Sequence, residues 1–176
     1  MPNTFLKPEE IKYFVTQSGL LGDGLPSHKA MYAAESTAVS LPEGKDQVEV
    51  RLTAKDVGGA EVTKKFTFRR GTYEILVSYE VKNAGEKPLA PFAYFQFLRD
   101  GNQPSQEAAQ TSAMAGVATY TGPAVYTEES KFVKVDFKDI EKGKQAHARK
   151  TKDGWIAVVQ HYFVSAWLPA GNGDRE

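Results

Sequence analysis

The side chains in this 176-residue sequence best suited to acid–base or metal chemistry near neutral pH are His28, His147 and His161. Their spacing argues against both uses. No two stand at HxH or HxxxH separation, and no cluster of carboxylates adjoins any of them. There is no cysteine, so thiolate nucleophiles, disulfides and cysteine zinc sites are excluded. Neither a G-x-S-x-G elbow nor a G-x-x-x-x-G-K-[ST] phosphate loop occurs. Gly22-Asp23-Gly24 starts like a dinucleotide loop but lacks the third glycine and a strand–helix setting. Asp136, Asp139 and Glu141 lack the spacing and the glycine of a calcium loop, and read as a solvated loop. Glu74 and Glu80 alternate with apolar residues, so they face water rather than forming a glycosidase pair. We therefore expect no catalytic residue, no metal site and no cofactor.

One histidine has unusual surroundings. The run GWIAVVQHYFVSAWLP, Gly154 to Pro169, is the most apolar part of the chain and holds Gln160 and His161 at its middle. A bilayer-spanning helix needs about 20 mostly apolar residues, and this run is shorter and closed by Pro169 and Gly171. Its β-branched and aromatic residues suit a pleated surface. The run reads as one long, buried strand, bent near its middle, with a buried helix as the competing reading. Gln160 and His161 point to opposite sides, so one of the two borders a polar groove or cleft.

The elements that would position these residues are strands. Val48, Val50 and Leu52 alternate with Glu49, Arg51 and Thr53. Gly58-Gly59 turns the chain, and Val62, Phe66 and Phe68 then alternate with Thr63, Lys65, Thr67 and Arg69, which predicts a hairpin. From Tyr73 to Lys82 the alternation is nearly strict. Phe92 to Arg99 is apolar on both faces and reads as a central strand between layers. Lys131 to Phe137 reads as a strand with Val133, Val135 and Phe137 inward. The stretches 19–26 and 121–123 read as a loop and a turn, 101–117 as a loop with a short helix as the alternative, and 138–153 as a charged loop with room for one helical turn. About eight strands with hairpin-type turns and no repeat indicate one antiparallel β-sandwich domain over residues 1–176.

The charge sums to zero, 22 basic against 22 acidic residues, so nothing suggests capture of nucleic acid. It is unevenly placed. Residues 131–153 hold seven Lys and one Arg against three Asp and one Glu. The plain reading is lysines that keep strand edges soluble. The sharper one is a basic face turned toward an anionic lipid surface or an acidic partner. No basic-then-apolar leader opens the chain, and Met1 to Thr4 read as the start of a fragment.

Several stretches together resemble a known family. They are Lys65 to Tyr73 (KFTFRRGTY), Val77 to Leu89 (VSYEVKNAGEKPL), Thr121 to Tyr126 (TGPAVY), Lys131 to Phe137 (KFVKVDF), and the Gly154–Pro169 run. Their order and spacing from about residue 13 to 169 resemble the large periplasmic domain of the YidC membrane protein insertases of Gram-negative bacteria. The resemblance implies an all-β, twisted antiparallel supersandwich like that of galactose mutarotases, here truncated. It implies a chain on the periplasmic side of the bacterial inner membrane, lacking the transmembrane helices that act on membrane protein clients, and therefore no enzyme. It also implies contact with accessory subunits of the Sec translocon. On this sequence the stretch around Tyr120 to Lys142 is the candidate for that contact, through Tyr120, Tyr126, Phe132 and Lys134, because aromatics alternate there with charges. The other candidate is a carbohydrate-binding or mutarotase-like domain, with His161 and a carboxylate as acid and base and Gln160 beside them. Fold analogy alone supports that reading.

Overall fold

The computed structural model describes residues 14–57, 59–99, 120–144, 147, 149–160, 163–171 and 173–176. They form strands β1 (Phe14–Leu21), β2 (Ala33–Ala34), β3 (Gln47–Val57), β4 (Ala60–Arg69), β5 (Ile75–Asn83), β6 (Phe92–Arg99), β7 (Gly122–Thr127), β8 (Lys131–Lys134), β9 (Trp155–Gln160) and β10 (Phe163–Trp167), with one helix, α1 (Phe137–Glu141). All the described pairings whose register is given are antiparallel, and the chain is all-β as its alternating patterns require. No described helix is long and apolar enough to cross a membrane. The chain divides into two compact units, residues 17–95 and residues 1–16 with 96–176.

In the first unit, β2, β3, β4 and β5 form one sheet in chain order. The expected hairpin is present, with Val57 opposite Ala60 and a register shift after Ala54. Register sets Val50, Phe66 and Val77 side by side on one face. On the other face, Arg51 and Lys65 both reach Glu80, each at 2.8 Å. The core of this unit is Leu20, Leu25, Ala60 and a fully enclosed Val62. One cation interrupts the apolar face. Lys64 lies between the rings of Phe66 and Tyr79 and donates to the Ser18 carbonyl at 3.0 Å. The Tyr79 hydroxyl donates to Ser18 Oγ at 2.9 Å, so two strands of the sheet fix one residue of β1. Burial pushes Lys64 down and Tyr79 up to about 12, because both lose water around their charged forms. His28 is held by Tyr94, whose hydroxyl accepts from the His28 amide at 2.8 Å and lies 2.5 Å from Nδ1.

In the second unit the sheet order is β10-β9-β7-β8. Five expectations change here and in the strands that lead to it. The Gly154–Pro169 run is not one bent strand. It is two, β9 and β10, paired antiparallel from Gln160–Phe163 to Ile156–Trp167. The sequence between Gln160 and Phe163 carries none of the Gly, Asn or Asp marks of a tight turn, which hid the pairing from a reading of composition. Phe92–Arg99 is not central. It pairs with β1 in a two-stranded sheet, and Phe92 is 68% exposed. Thr121-Gly122-Pro123 is no turn, since β7 starts at Gly122; nor is 19–26 all loop, since β1 runs to Leu21. The strand expected over 131–137 ends at Lys134, although Val135 is buried as expected, and α1 supplies the helical turn expected after it. The loop expected at 101–117 lies outside the described residues.

Candidate docking face

Three strands build this face. Tyr126 on β7 stands opposite Phe132 on β8 and Trp155 on β9. Facing residues in an antiparallel sheet share a side, so one register line carries three aromatics in a row. Tyr126 and Trp155 stack with centroids 5.5 Å apart and planes 7° from parallel. Phe132 leans on Trp155 at 6.0 Å and is 47% exposed. Two residues along, the same face holds Ala124 opposite Lys134 and Ala157. Both alanines are buried.

Tyr120 closes the other end of the face. Its hydroxyl reaches the carbonyls of Pro123 and Val135, the latter at 3.0 Å, and the Lys134 ammonium sits 4.9 Å over its ring. Gly122 makes room, since a Cβ there would meet the Tyr120 hydroxyl. Burial pushes the Tyr120 phenol up.

The rim of the aromatic row is a set of charges. The Tyr126 hydroxyl donates to Glu128 at 2.9 Å, and Lys131 reaches the other Glu128 oxygen at 2.9 Å. The bond to Glu128 raises Tyr126. The Lys131 ammonium holds Glu128 below the usual carboxylate range, and Glu128 in turn raises Lys131. The turn from β7 to β8 is set by Thr127, which accepts the Ser130 amide at 2.9 Å, and by Lys131 at φ 56°.

Trp155 is placed from behind. Gly154 adopts φ 96°, and a Cβ there would run into the Tyr126 carbonyl. Only glycine lets β9 begin so close to β7. Arg175 donates to the carbonyls of Gly154, Pro169 and Gly171 at 2.8, 2.9 and 2.5 Å, and its backbone pairs with Thr151. One guanidinium thus ties down both ends of the β9–β10 segment.

The structure therefore brings together Tyr120, Tyr126, Phe132 and Lys134. It adds Trp155, Glu128, Gly154 and Arg175, which the sequence reading did not single out as site residues. Trp155 had a signal, an aromatic directly after a glycine at a strand start. Arg175 had none, because its targets are carbonyls. Gln160 lies elsewhere. It follows Trp155 by five positions, an odd number, so it falls on the opposite face of β9. His161 lies outside the described residues. No group of His, Asp and Glu among the described residues could hold a metal ion. The face offers apolar rings, two phenols and two lysines, a make-up suited to recognition.

The sequence model of the YidC periplasmic domain matches residues 1–176. This chain belongs to the YidC periplasmic domain family. It is 48% identical over 166 residues to the membrane protein insertase YidC of Aromatoleum aromaticum, covering 94% of this chain and 29% of that protein. It is 43% identical over 175 residues to that of Nitrosospira multiformis (99% and 30%), and 49% identical over 164 residues to that of Laribacter hongkongensis (92% and 29%). The chain thus spans less than a third of the length of these YidC relatives. All three carry the name of a membrane protein insertase.

Proposed function

We propose that this YidC-family chain is a non-catalytic periplasmic module of an inner-membrane insertase, assisting membrane protein insertion and folding by docking accessory subunits of the Sec translocon. Its strands would form one domain, part of a galactose-mutarotase-like supersandwich. Clients would engage the membrane-embedded part of the longer protein rather than this chain. The observation that carries the docking role is the Tyr126–Phe132–Trp155 row, apolar at its centre and rimmed by Lys131, Lys134 and Glu128. Buried aromatic anchors inside a polar rim are the usual make-up of a protein interface.

The test is a pull-down from detergent-solubilised inner membranes with this chain as bait. Mass spectrometry should identify translocon accessory subunits, retained by Phe68→Ala and lost from Tyr126→Ala and Phe132→Ala. Equal recovery by all three variants, or none from a chain with an intact β-sheet circular dichroism spectrum, would overturn the reading.

A further inference from the structure

Beside the aromatic face lies an open strand edge. The sheet ends at β8, which pairs with β7 on one side and, among the described residues, with nothing on the other. Its backbone polarity follows from one bond. The Val135 amide donates to the Pro123 carbonyl at 2.9 Å. In an antiparallel ladder, residues turn their N–H and C=O alternately toward and away from the neighbouring strand. Val133 and Lys131 therefore share Val135's direction and face β7. Phe132 and Lys134 turn their amides and carbonyls outward. The same two residues send their side chains onto the aromatic face.

Natural edges are blunted by charge, proline or a bulge. Among the described residues the blunting here is by lysine, and lysine selects as well as repels. Lys134 makes no ion pair among the described residues and rests on the Tyr120 ring. Beyond β8, Lys138 and Lys142 stand four positions apart with no ion pair among the described residues, whereas Lys144 is taken by Asp139 at 3.8 Å. Positive charge exceeds negative across residues 131–153. A basic edge strand repels a second copy of itself, since antiparallel self-pairing through its outward groups crowds two copies of Lys131 and Lys134 onto one short strip.

We propose that β8 accepts an added strand from a partner polypeptide, an extended segment in which carboxylates flank an apolar side chain. The partner's backbone bonds the outward groups of Phe132 and Lys134. Its apolar side chain lies beside Phe132, and its carboxylates meet Lys134 and the free lysines beyond. This rests on the docking role proposed above and specifies how that docking is made.

The test uses the isotopically labelled 176-residue chain and a short synthetic peptide in which valine alternates with glutamate, with a lysine-for-glutamate peptide as counterpart. Amide exchange should slow at Phe132 and Lys134 with the acidic peptide only. It should stay unchanged at Lys131 and Val133, whose amides already face β7. Lys134→Pro removes one outward donor without touching a β7 bond and should abolish binding. Lys134→Gln keeps the donor, so it should weaken binding and preserve the exchange pattern. No protection at Phe132 and Lys134, or equal protection by both peptides, overturns the proposal. So does sedimentation with phosphatidylglycerol vesicles that is lost in Lys134→Gln while the acidic peptide protects nothing, because the lysines would then serve lipid. Translocon subunits still captured by Lys134→Pro but not by Tyr126→Ala would remove strand addition and leave the docking face. Failure of capture by the unaltered folded chain would remove both.

Discussion

The β2–β5 sheet and the β10-β9-β7-β8 sheet are each four-stranded and antiparallel, yet they draw on different information. In the first, neighbours in space are neighbours in sequence, and each turn is announced by glycine or asparagine. In the second, β9 arrives from about 20 residues after β8 and inserts beside β7. The first sheet carries its charges as a closed set, with Glu80 shared by Arg51 and Lys65. The second leaves Lys134, Lys138 and Lys142 without acidic partners among the described residues. Both expose aromatic surface. The hollow of about 380 Å³ beside Phe68 is lined by Ser36, Thr37, Val39, Val48, Val50 and Phe68, with no charge. The aromatic row on the second sheet has a charged rim, the feature that gives a partner orientation. On the proposed reading, one sheet is organised for its own stability and the other for an encounter.

That contrast can be broken most forcefully at Gly154. Gly154→Ala forces a Cβ into the Tyr126 carbonyl at a left-handed φ. It should cost about 3 kcal/mol in urea unfolding and also abolish docking, because Trp155 moves with it. A loss under 1 kcal/mol, which is about the cost of an ordinary substitution, would show that β9 does not depend on that approach. Val62→Ala, in the core of the other sheet, should cost about 2–3 kcal/mol and leave partner capture unchanged in the chain that remains folded. Reduced capture per folded molecule would mean the two sheets are not separable in role. Tyr79→Phe removes one hydroxyl from the pair of contacts on Ser18 and should cost about 1 kcal/mol. A neutral result would leave the Lys64 contact to carry the link from β4 to Ser18.

The smallest effect concerns pH. Glu80 and Glu128 both sit below the usual carboxylate range, through hydrogen bonds chiefly to Lys65 and Lys131 respectively. A depressed carboxylate contributes stability above its unfolded pKa, and that contribution fades as pH falls through the folded value. Glu80→Gln and Glu128→Gln should each flatten the acid limb of a melting-temperature profile slightly, both pairs being solvent-exposed. An unchanged acid limb in both variants would show the pairs contribute nothing.

How much of this was legible follows the same contrast. The hairpin at Gly58-Gly59 and the strand alternation through Tyr73–Lys82 were readable because period and punctuation agreed. The aromatic set Tyr120, Tyr126 and Phe132 was readable as a local mixture of rings and charges. That Trp155 completes the row was not, since nothing local says β9 pairs with β7. The reversal between Gln160 and Phe163 was hidden because a continuous apolar run has the same composition whether it goes straight or doubles back. Arg175 was hidden because a guanidinium bound to three carbonyls leaves no complementary residue type in the sequence.

The central claim is that the second sheet, and not the first, meets a partner. Photo-crosslinking tests it most directly, with a benzophenone amino acid placed in turn at Tyr126, Phe132, Phe68 and Ile75 of this chain mixed with solubilised inner membranes. The expected result is adducts to a translocon accessory subunit from positions 126 and 132 and none from 68 and 75. Adducts to such a subunit from 68 or 75, with 126 and 132 silent, would contradict the account.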